Sequence, residues 1–255
     1  MNTAIAFIII SYHPEKKELQ ELIATLTGFF VIVVDNGGTL TFDDVGKATL
    51  LSQSSNVGYA SAANIGIHHA SGFGATWFVM LNQDVKCTRK SILSLTRKLR
   101  VLPPSVAGPF PGGLDPKRWT TILPAESVDY LTGSIVAIHE KVIGKVGYFY
   151  EPYFLYYEDA DYSVRAKLAG FPLVRISLEH VNHEETRSLG KGSFTHQYYL
   201  SRNHLLFVFR LAPRMVKLHE LVRLPKTISE HIRRKEHGAL TGIRDFLLRK
   251  GGAWS

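Results

Sequence analysis

Three acidic side chains lie close together in the stretch FLYYEDADYSVRAKLAGF, which spans residues 154–171. Glu158, Asp159 and Asp161 follow a run of aromatic residues and begin a segment whose apolar spacing is helical. Negative charge in the first turn of a helix is favoured by about 0.3–1 kcal/mol, so capping alone accounts for these acids. The same free N–H groups keep a carboxylate ionised, and an ionised carboxylate can act as a general base toward a substrate hydroxyl. From these residues alone, capping and catalysis are equally good interpretations.

Two further residues are of types that bind metal ions. Asp84 follows the apolar run of MLNQDV (residues 80–85), and a carboxylate there suits Mg²⁺ or Mn²⁺, which take oxygen ligands and share them with phosphates. His183, in HVNHEE (residues 180–185), could complete a Mn²⁺ site with its imidazole. The alternatives are that Asp84 is a turn or cap residue ahead of Ser91, and that His183 is an ordinary histidine among the 11 in the chain.

Strand and helix patterns alternate over the first hundred residues. Apolar runs typical of strands buried on both faces occur at residues 4–10, 29–34 and 77–81. Helical spacing lies between and after them, which predicts an α/β, Rossmann-like fold with a mostly parallel central sheet and helices on both faces. Residues 103–127 lack periodicity, and the helices predicted in the C-terminal extension are at 198–211, 215–224 and 228–248.

Polar residues follow several of the predicted strands. Ligands of doubly wound sheets bind at the carboxyl ends of the strands, so these side chains should line one nucleotide-sized crevice. They are Ser11, Tyr12, Asp35, Asn36, Asn56, Gly58, Asn82, Gln83 and Asp84. The sequence contains neither a Walker motif nor a GxGxxG loop, so we expect a metal ion to neutralise the phosphates.

The composition is that of a globular protein whose basic character is confined to one end. The 255 residues are 45% apolar, no run reaches the roughly 18 apolar residues of a membrane span, and the single cysteine excludes an internal disulfide. These features favour the cytoplasm. Residues 187–255 contain 14 Lys and Arg against 4 Asp and Glu, a net charge of +10. Such a tail could serve nucleic acid, anionic lipid or a phosphorylated substrate, or could be a solvated surface.

Six motifs in a fixed order carry a family resemblance. They are VVDNGG, NVGYASAANIGI, MLNQDV, LTGSIVAIHEKVIGKVGYF, FLYYEDADYSVRAKLAGF and HVNH. Together they resemble the inverting family 2 glycosyltransferases of GT-A fold, over about residues 4–210. The segments YYLSRNHLLFVFR and HGALTGIRDFLLRKGG are similar to bacterial rhamnosyltransferases and galactofuranosyltransferases that build surface polysaccharide. The resemblance implies a catalytic domain at residues 1–210 and a basic helical extension at residues 211–255.

The resemblance also implies roles for individual residues. Asp159 would be the base, with Glu158 beside it to orient or bind the acceptor, although spacing does not settle which of the two is the base. Asp84 and His183 would hold the metal ion on the diphosphate. The donor sugar would be approached by Gly133 and Ser134. The nucleotide would be bound by Ser11, Tyr12, Asp35, Asn36, Asn56, Gly58 and Asn82, with Asn64 supporting the loop at 56–58.

One residue departs from the family pattern. The family motif often begins with Asp where this chain has Asn82, and one carboxylate fewer weakens the metal site. The expected function is metal-dependent inverting transfer of a sugar from a dTDP- or UDP-sugar, with dTDP-rhamnose as first candidate, to a hydroxyl of a glycan or polyprenyl-linked glycan. The alternatives are a catalytically inactive nucleotide-sugar binder and a basic nucleic-acid-binding protein, which the tail permits but its few aromatic residues disfavour.

The extension has two open interpretations. Its apolar residues could form one face that contacts the inner side of the cell membrane, where basic residues are attracted to anionic lipid. The same face could instead pack on the catalytic domain or on a second subunit. The residues concerned are Ile228, Ile232, Leu240, Ile243, Phe246 and Leu247.

Overall fold

The structure is a computed structural model that describes residues 2–123, 125–182, 190 and 192–254. Its strands are β1 (Asn2–Ser11), β2 (Phe29–Asp35), β3 (Thr49–Ser52), β4 (Trp77–Asn82), β5 (Lys86–Cys87), β6 (Val106–Gly108), β7 (Pro111–Leu114), β8 (Thr121–Ile122), β9 (Tyr130–Leu131), β10 (Ile135–His139), β11 (Leu173–Arg175) and β12 (Val181–Asn182). Its helices are α1 (Lys16–Thr25), α2 (Phe42–Val45), α3 (Tyr59–Gly72), α4 (Arg89–Leu99), α5 (Glu140–Val146), α6 (Glu158–Leu168), α7 (Phe194–Leu211), α8 (Arg214–Arg233) and α9 (His237–Leu247), with a 3₁₀ turn at Glu151–Tyr153.

The central sheet has the strand order β11-β6-β10-β4-β1-β2-β3. Strands β1, β2, β3 and β4 are mutually parallel, and β11 is parallel to β6. Only β10 runs against its neighbours, because it pairs antiparallel with both β4 and β6. The predicted mostly parallel α/β sheet is therefore confirmed, and the parallel strands end at one edge of the sheet.

The core lies on both faces of this sheet. Alternate side chains of β1 point to opposite faces, so Ile8 packs in one buried cluster with α3 residues, while Phe7 and Ile9 pack in another with α1 and α4 residues. A strand buried on both faces needs an uninterrupted apolar run, which is what residues 4–10 supply. The buried sheet fixes the positions of the polar residues that follow the carboxyl ends of its parallel strands.

One segment contains strands that were not predicted, and one helix boundary is wrong. Residues 103–127, which lack periodicity, contain β6, β7 and β8. The predicted break between two C-terminal helices, at residues 224–228, does not occur. Helix α8 continues through Pro225, which removes one backbone donor, and the chain turns at Lys235, whose φ of 56° cannot continue a helix. Strands of two to four residues are too short to show periodicity in a sequence.

The C-terminal residues pack against α7. Gly238 and Gly242 lie on the side of α9 that meets α7, where an added Cβ would overlap the carbonyl oxygens of Phe194 and Tyr198. Beyond α9, the Trp254 N–H donates to the Tyr199 hydroxyl at 2.9 Å, and the Trp254 ring packs on Phe194.

The apolar face predicted for the tail is divided by this packing. Ile243 is buried, and the Phe246 ring lies 5.5 Å from that of Phe209. Ile232 and Leu247, by contrast, are exposed. The α9 residues Ile243 and Phe246 therefore pack on the remainder of the chain. The six predicted residues do not form one continuous apolar face that could contact a membrane.

Replacing Gly242 with Ala should lower the free energy of unfolding by about 1–3 kcal/mol, because the new methyl group forces α9 away from α7. Gly144 in α5 is the matched control, since nothing lies within 4 Å of its added Cβ. Gly144→Ala should raise stability by about 0.5–1 kcal/mol through better helix propensity. Urea denaturation of both variants measures the difference, and equal stabilities would contradict the packing of α9 on α7.

Candidate active site

A cavity of about 750 Å³ lies at the edge where the parallel strands end. Asp84 lies on its wall, just past β4, and so do Glu158 and Asp159 at the start of α6. Gly133 and Ser134, from the turn before β10, complete this part of the lining, together with Asn82. The structure thus brings acids from two distant parts of the chain into one cavity.

Asp159 is held by backbone donors from two segments. Its Oδ2 accepts a hydrogen bond from the Gly133 N–H at 2.9 Å, and its Oδ1 accepts one from the Ala160 N–H at 2.7 Å. Burial raises the pKa of Asp159 above its ordinary value, and these backbone bonds oppose that rise without cancelling it. The hydrogen bonds therefore favour the ionised form, as expected, but burial has the larger effect on the pKa of Asp159.

Glu158 is buried at the cavity wall, and its Oε2 has no hydrogen-bond partner among the described residues. Burial raises its pKa well above the ordinary range, and the nearby charge of Asp159 raises it further. Asp159 accepts two backbone hydrogen bonds that stabilise its charged form, whereas the Glu158 Oε2 accepts none from the described residues. We therefore assign the proton to Glu158 and the negative charge to Asp159.

The segment before these acids adopts a strained backbone. Phe154, Tyr156 and Tyr157 have φ values of 64°, 67° and 71°, which cost about 1–3 kcal/mol each for residues other than glycine. This segment ends where Glu158 begins α6, so its conformation decides where the acid pair lies.

Two buried residues of α7 hold the strained segment in place. The Asn203 side-chain amide donates to the carbonyls of Leu155 at 2.6 Å and Tyr156 at 3.0 Å. Arg202, which is fully buried, donates to the carbonyl of Tyr153 at 2.8 Å. Sequence reasoning missed this role, because YYLSRNHLLFVFR gave only a family resemblance and no mark of which residues face the segment.

Asp161, the third acid of the opening stretch, has a structural position. It is completely buried and accepts hydrogen bonds from the guanidinium groups of Arg165, at 2.5 Å, and Arg210. The Tyr153 hydroxyl donates to it as well, at 3.1 Å. Asp161 and Arg165 are four residues apart on α6, and the contact of the same carboxylate with Arg210 joins α6 to α7.

The residues predicted to bind the nucleotide meet at the ends of β1 and β2. Ser11 and Asp35 are register partners, and the Asn36 N–H donates to the Ser11 carbonyl at 2.7 Å. The Asp35 carboxylate is buried and accepts from the N–H groups of Gly37 and Leu40, so it holds the turn after β2. The Ser11 hydroxyl is buried with no partner among the described residues.

Asn36 connects this turn to the loop before α3. Its amide donates to the Asn56 side chain at 2.9 Å and to the Gly58 carbonyl at 3.3 Å. Gly58 has a φ of 85° and contacts Phe154 so closely that no side chain would fit. The Tyr59 hydroxyl then donates to the Gly133 carbonyl at 2.6 Å, which joins the nucleotide side to the cavity.

Most of the residues predicted to bind the nucleotide do not line the cavity. Of the predicted nucleotide residues, only Asn82 is on the cavity wall. Tyr12 is exposed, and its backbone pairs with the Gln83 side chain. Asn64 does not support the loop at 56–58, because its buried amide bonds to Phe149 and Glu151.

The donor set for a metal ion is small. Within the described residues there is no group of three or more His, Cys, Asp or Glu side chains placed to hold an ion. His183 lies outside the described residues. The Asp84 carboxylate and the Asn82 amide both line the cavity, and such a set fits Mg²⁺ or Mn²⁺ when a diphosphate and water supply the other oxygens.

The remaining cavity wall was not predicted. Arg175 at the end of β11 and His196 in the first turn of α7 bring basic side chains to it. Phe110, Leu155 and Leu200 give another part of it an apolar surface. Leu155 and Leu200 lie in segments that carry the family resemblance, but nothing in the sequence marks them as wall residues. The packing of α7 and the short strands brings the wall together.

Comparison with known proteins identifies relatives by sequence. No protein-family model matches the chain. It is 33% identical to the dTDP-rhamnosyl transferase RfbF of Shigella flexneri over 115 residues, which are 43% of this chain and span only 39% of RfbF. It is 24% identical to the N-acetylglucosaminyl-diphospho-decaprenol L-rhamnosyltransferase of Mycobacterium tuberculosis, over 77% of this chain and 81% of that protein.

Comparison with solved structures gives the fold. The mannosyltransferase PcManGT from Pyrobaculum calidifontis, solved with GDP-Man and Mn²⁺, superposes with a TM-score of 0.59 at 13% identity, over 96% of this chain and 85% of that one. Residues 1–349 of S. aureus TarS, solved with UDP-GlcNAc, give a TM-score of 0.59 at 14% identity, over 95% and 80%. The chain therefore shares the GT-A fold of these solved structures, and its sequence is similar to those of rhamnosyltransferases.

Proposed function

We propose that the chain transfers a sugar from a nucleoside diphosphate sugar to a hydroxyl group of a glycan, with inversion at the anomeric carbon. The observation that carries this proposal is the shared cavity of Asp84 and the Glu158–Asp159 pair. A carboxylate suited to a metal–diphosphate complex and a carboxylate suited to proton abstraction are the two groups that this reaction needs.

Asp159 is the proposed base. Its ionised carboxylate takes the proton of the acceptor hydroxyl while that oxygen attacks the anomeric carbon, and the nucleoside diphosphate leaves from the opposite face. The two backbone N–H groups on Asp159 orient the carboxylate, which leaves its outer lone pairs for the substrate. The protonated Glu158 lies beside it on the cavity wall and adds no second negative charge next to the base. No covalent enzyme intermediate is required.

Asp84 and Asn82, together with His183, are the residues that would hold a divalent metal ion. Such an ion, when bound, neutralises charge that develops on the leaving diphosphate. Arg175 on the same cavity wall can add positive charge beside it, and His196 adds an imidazole that can form hydrogen bonds. The replacement of the usual first Asp of the motif by Asn82 leaves a weaker site, so the metal should bind tightly only together with the diphosphate.

The proposed donor is a dTDP- or UDP-sugar, with dTDP-rhamnose first. The relative from Shigella flexneri is named a dTDP-rhamnosyl transferase, and TarS was solved with UDP-GlcNAc. The relative from Mycobacterium tuberculosis is named for a sugar carried on diphospho-decaprenol. The apolar part of the cavity wall, with Phe110, Leu155 and Leu200, would suit an acceptor that carries such a lipid.

Replacing Asp84 with Asn should lower kcat/KM for the donor by about 10²–10³-fold, because it removes the only carboxylate placed by β4 beside the diphosphate. Asp43→Asn, at an exposed position of α2 outside the cavity lining, is the matched control and should leave transfer unchanged. Product formation from a panel of nucleotide sugars, with Mn²⁺ and with chelator, measures both. Equal transfer with and without chelator would contradict the metal-dependent reaction.

The alternative is a nucleotide-sugar binder without transferase activity, which the loss of a carboxylate at Asn82 favours. A thermal-shift panel distinguishes the two when it is run beside the transfer assay. A donor that stabilises the chain and is never transferred or hydrolysed would support the binder, and turnover would exclude it.

A further inference from the structure

Helix α8 presents an apolar side to solvent. Met215, Leu218, Leu221 and Val222 have exposed fractions of 74%, 53%, 56% and 74%. Residues 215, 218 and 222 follow helical spacing and so lie on one side, while Val216 and Glu220 on the opposite side are buried. A surface helix normally turns its apolar side to the core and its polar side outward, so the orientation of α8 is the reverse of the usual one.

The same helix carries cations without an ion-pair partner in the described part of the chain. Both of its acids are paired, Glu220 with Arg118 and Glu230 with Arg223. Six basic residues of α8 and the turn after it have no ion-pair partner among the described residues. They are Arg214, Lys217, Lys226, Arg233, Arg234 and Lys235. The outer side of α8 therefore combines exposed apolar side chains with uncompensated positive charge.

We propose that the outer side of α8 docks on the surface of an anionic phospholipid bilayer. A helix lying in the interface plane inserts its apolar side chains at the acyl boundary and places its cations among the lipid phosphates, which matches both properties of α8. A second copy of this chain fits less well, because two such faces would bring the same positive charges together. No helix in the described part of the chain combines the length and apolar character needed to cross a bilayer.

The docking helix is connected to the cavity wall. The buried Glu220 of α8 accepts from the Arg118 Nε at 2.8 Å, and the Arg118 carbonyl lies 2.8 Å from the His204 Nε2 of α7. A few residues after Arg118, Thr121 and Leu123 line the cavity. Docking through α8 would therefore fix the orientation of this cavity wall relative to the membrane. A lipid-linked acceptor would be found at that membrane. This inference goes beyond the proposed function, because bilayer binding requires no donor and no catalysis.

Co-sedimentation with vesicles tests the docking. The full chain should bind vesicles of phosphatidylcholine mixed with phosphatidylglycerol and should not bind phosphatidylcholine alone. The double variant Leu218→Glu, Val222→Glu should reduce binding to the anionic vesicles on the order of 100-fold, because two apolar side chains are replaced by charges of the same sign as the lipid. Lys226→Glu with Arg233→Glu should also weaken binding, by at least about fivefold for each cation lost.

The matched control is Leu168→Glu with Val101→Glu, which changes the same residue types at positions that are 73% and 83% exposed elsewhere on the surface. This control should bind like the parent chain. Equal binding by the α8 variants and the parent would overturn the proposal. So would a parent chain that ignores vesicles but sediments as a dimer that Leu218→Glu, Val222→Glu converts to a monomer. Transfer to a water-soluble acceptor should persist in the α8 variants, so failure of docking and failure of the proposed reaction are separable.

Discussion

Replacing Asp159 with Asn should lower kcat by about 10²–10⁴-fold and leave the affinity for the nucleotide unchanged, because the amide cannot accept the proton of the acceptor hydroxyl. The substitution keeps the size of the side chain and one of the two backbone hydrogen bonds, so the start of α6 should remain in place. Release of nucleoside diphosphate measures kcat, and equilibrium titration with the nucleotide measures affinity.

Glu158→Gln is the matched control for this variant. Because we assign a proton to Glu158, a neutral amide should replace it with a much smaller loss of activity than Asp159→Asn causes. The comparison also settles which member of the pair is the base. Normal turnover by Asp159→Asn, together with an inactive Glu158→Gln, would show that Glu158 is the base and Asp159 is not.

The pH dependence of transfer should reflect the same acid pair. Burial raises the pKa of Asp159, and the base must be deprotonated to work, so kcat should rise with pH through a value above that of an ordinary aspartate. Lowering the pH through that value protonates the base and stops transfer. A pH–rate profile that is flat down to the ordinary aspartate range would show that Asp159 does not limit the reaction.

Replacing Asp161 with Asn should lower the free energy of unfolding by about 3–5 kcal/mol, because it leaves the guanidinium groups of Arg165 and Arg210 without their shared carboxylate. Asp161 is completely buried, so water cannot take its place. Denaturant unfolding, with the two-state midpoint and slope measured together, gives the loss directly.

The control for Asp161 is an ion pair at the surface. Lys90 and Glu179 lie 3.4 Å apart with both side chains largely exposed, and such pairs contribute about 0–1 kcal/mol. Glu179→Gln should therefore unfold at nearly the same denaturant concentration as the parent. A loss for Asp161→Asn no larger than that for Glu179→Gln would show that the buried network does not hold α6 to α7.

The parts of the fold that depend on local pattern could be predicted from the sequence. Residues 4–10 predicted β1 because a seven-residue apolar run suits a strand buried on both faces. Parallel strands end at one edge, so Ser11 and Asp35 could be expected side by side, and they are register partners. The same reasoning placed Asp84 at this edge, whereas Asp159 was placed beside it through the family resemblance. Both residues line one cavity, and their roles stay predictions.

The parts that depend on packing between distant segments could not be predicted. The rise in the pKa of Asp159 comes from burial, which spacing along the chain does not reveal. Arg202 and Asn203 bind carbonyls almost 50 residues earlier in the chain, at positions that only the docking of α7 defines. The outward apolar side of α8 was missed for the same reason, since helical spacing gives an apolar side but not the direction in which it points.

The most direct test of the proposed active site is a crystal structure of the chain with dTDP and Mg²⁺. The proposal predicts a metal ion about 2.0–2.1 Å from an oxygen of Asp84 and bound to the diphosphate. It also predicts that Asp159 faces the open space beside the outer phosphate, where the sugar and acceptor would meet. A nucleotide bound outside this cavity, or a diphosphate whose metal ion is held without Asp84, would contradict it.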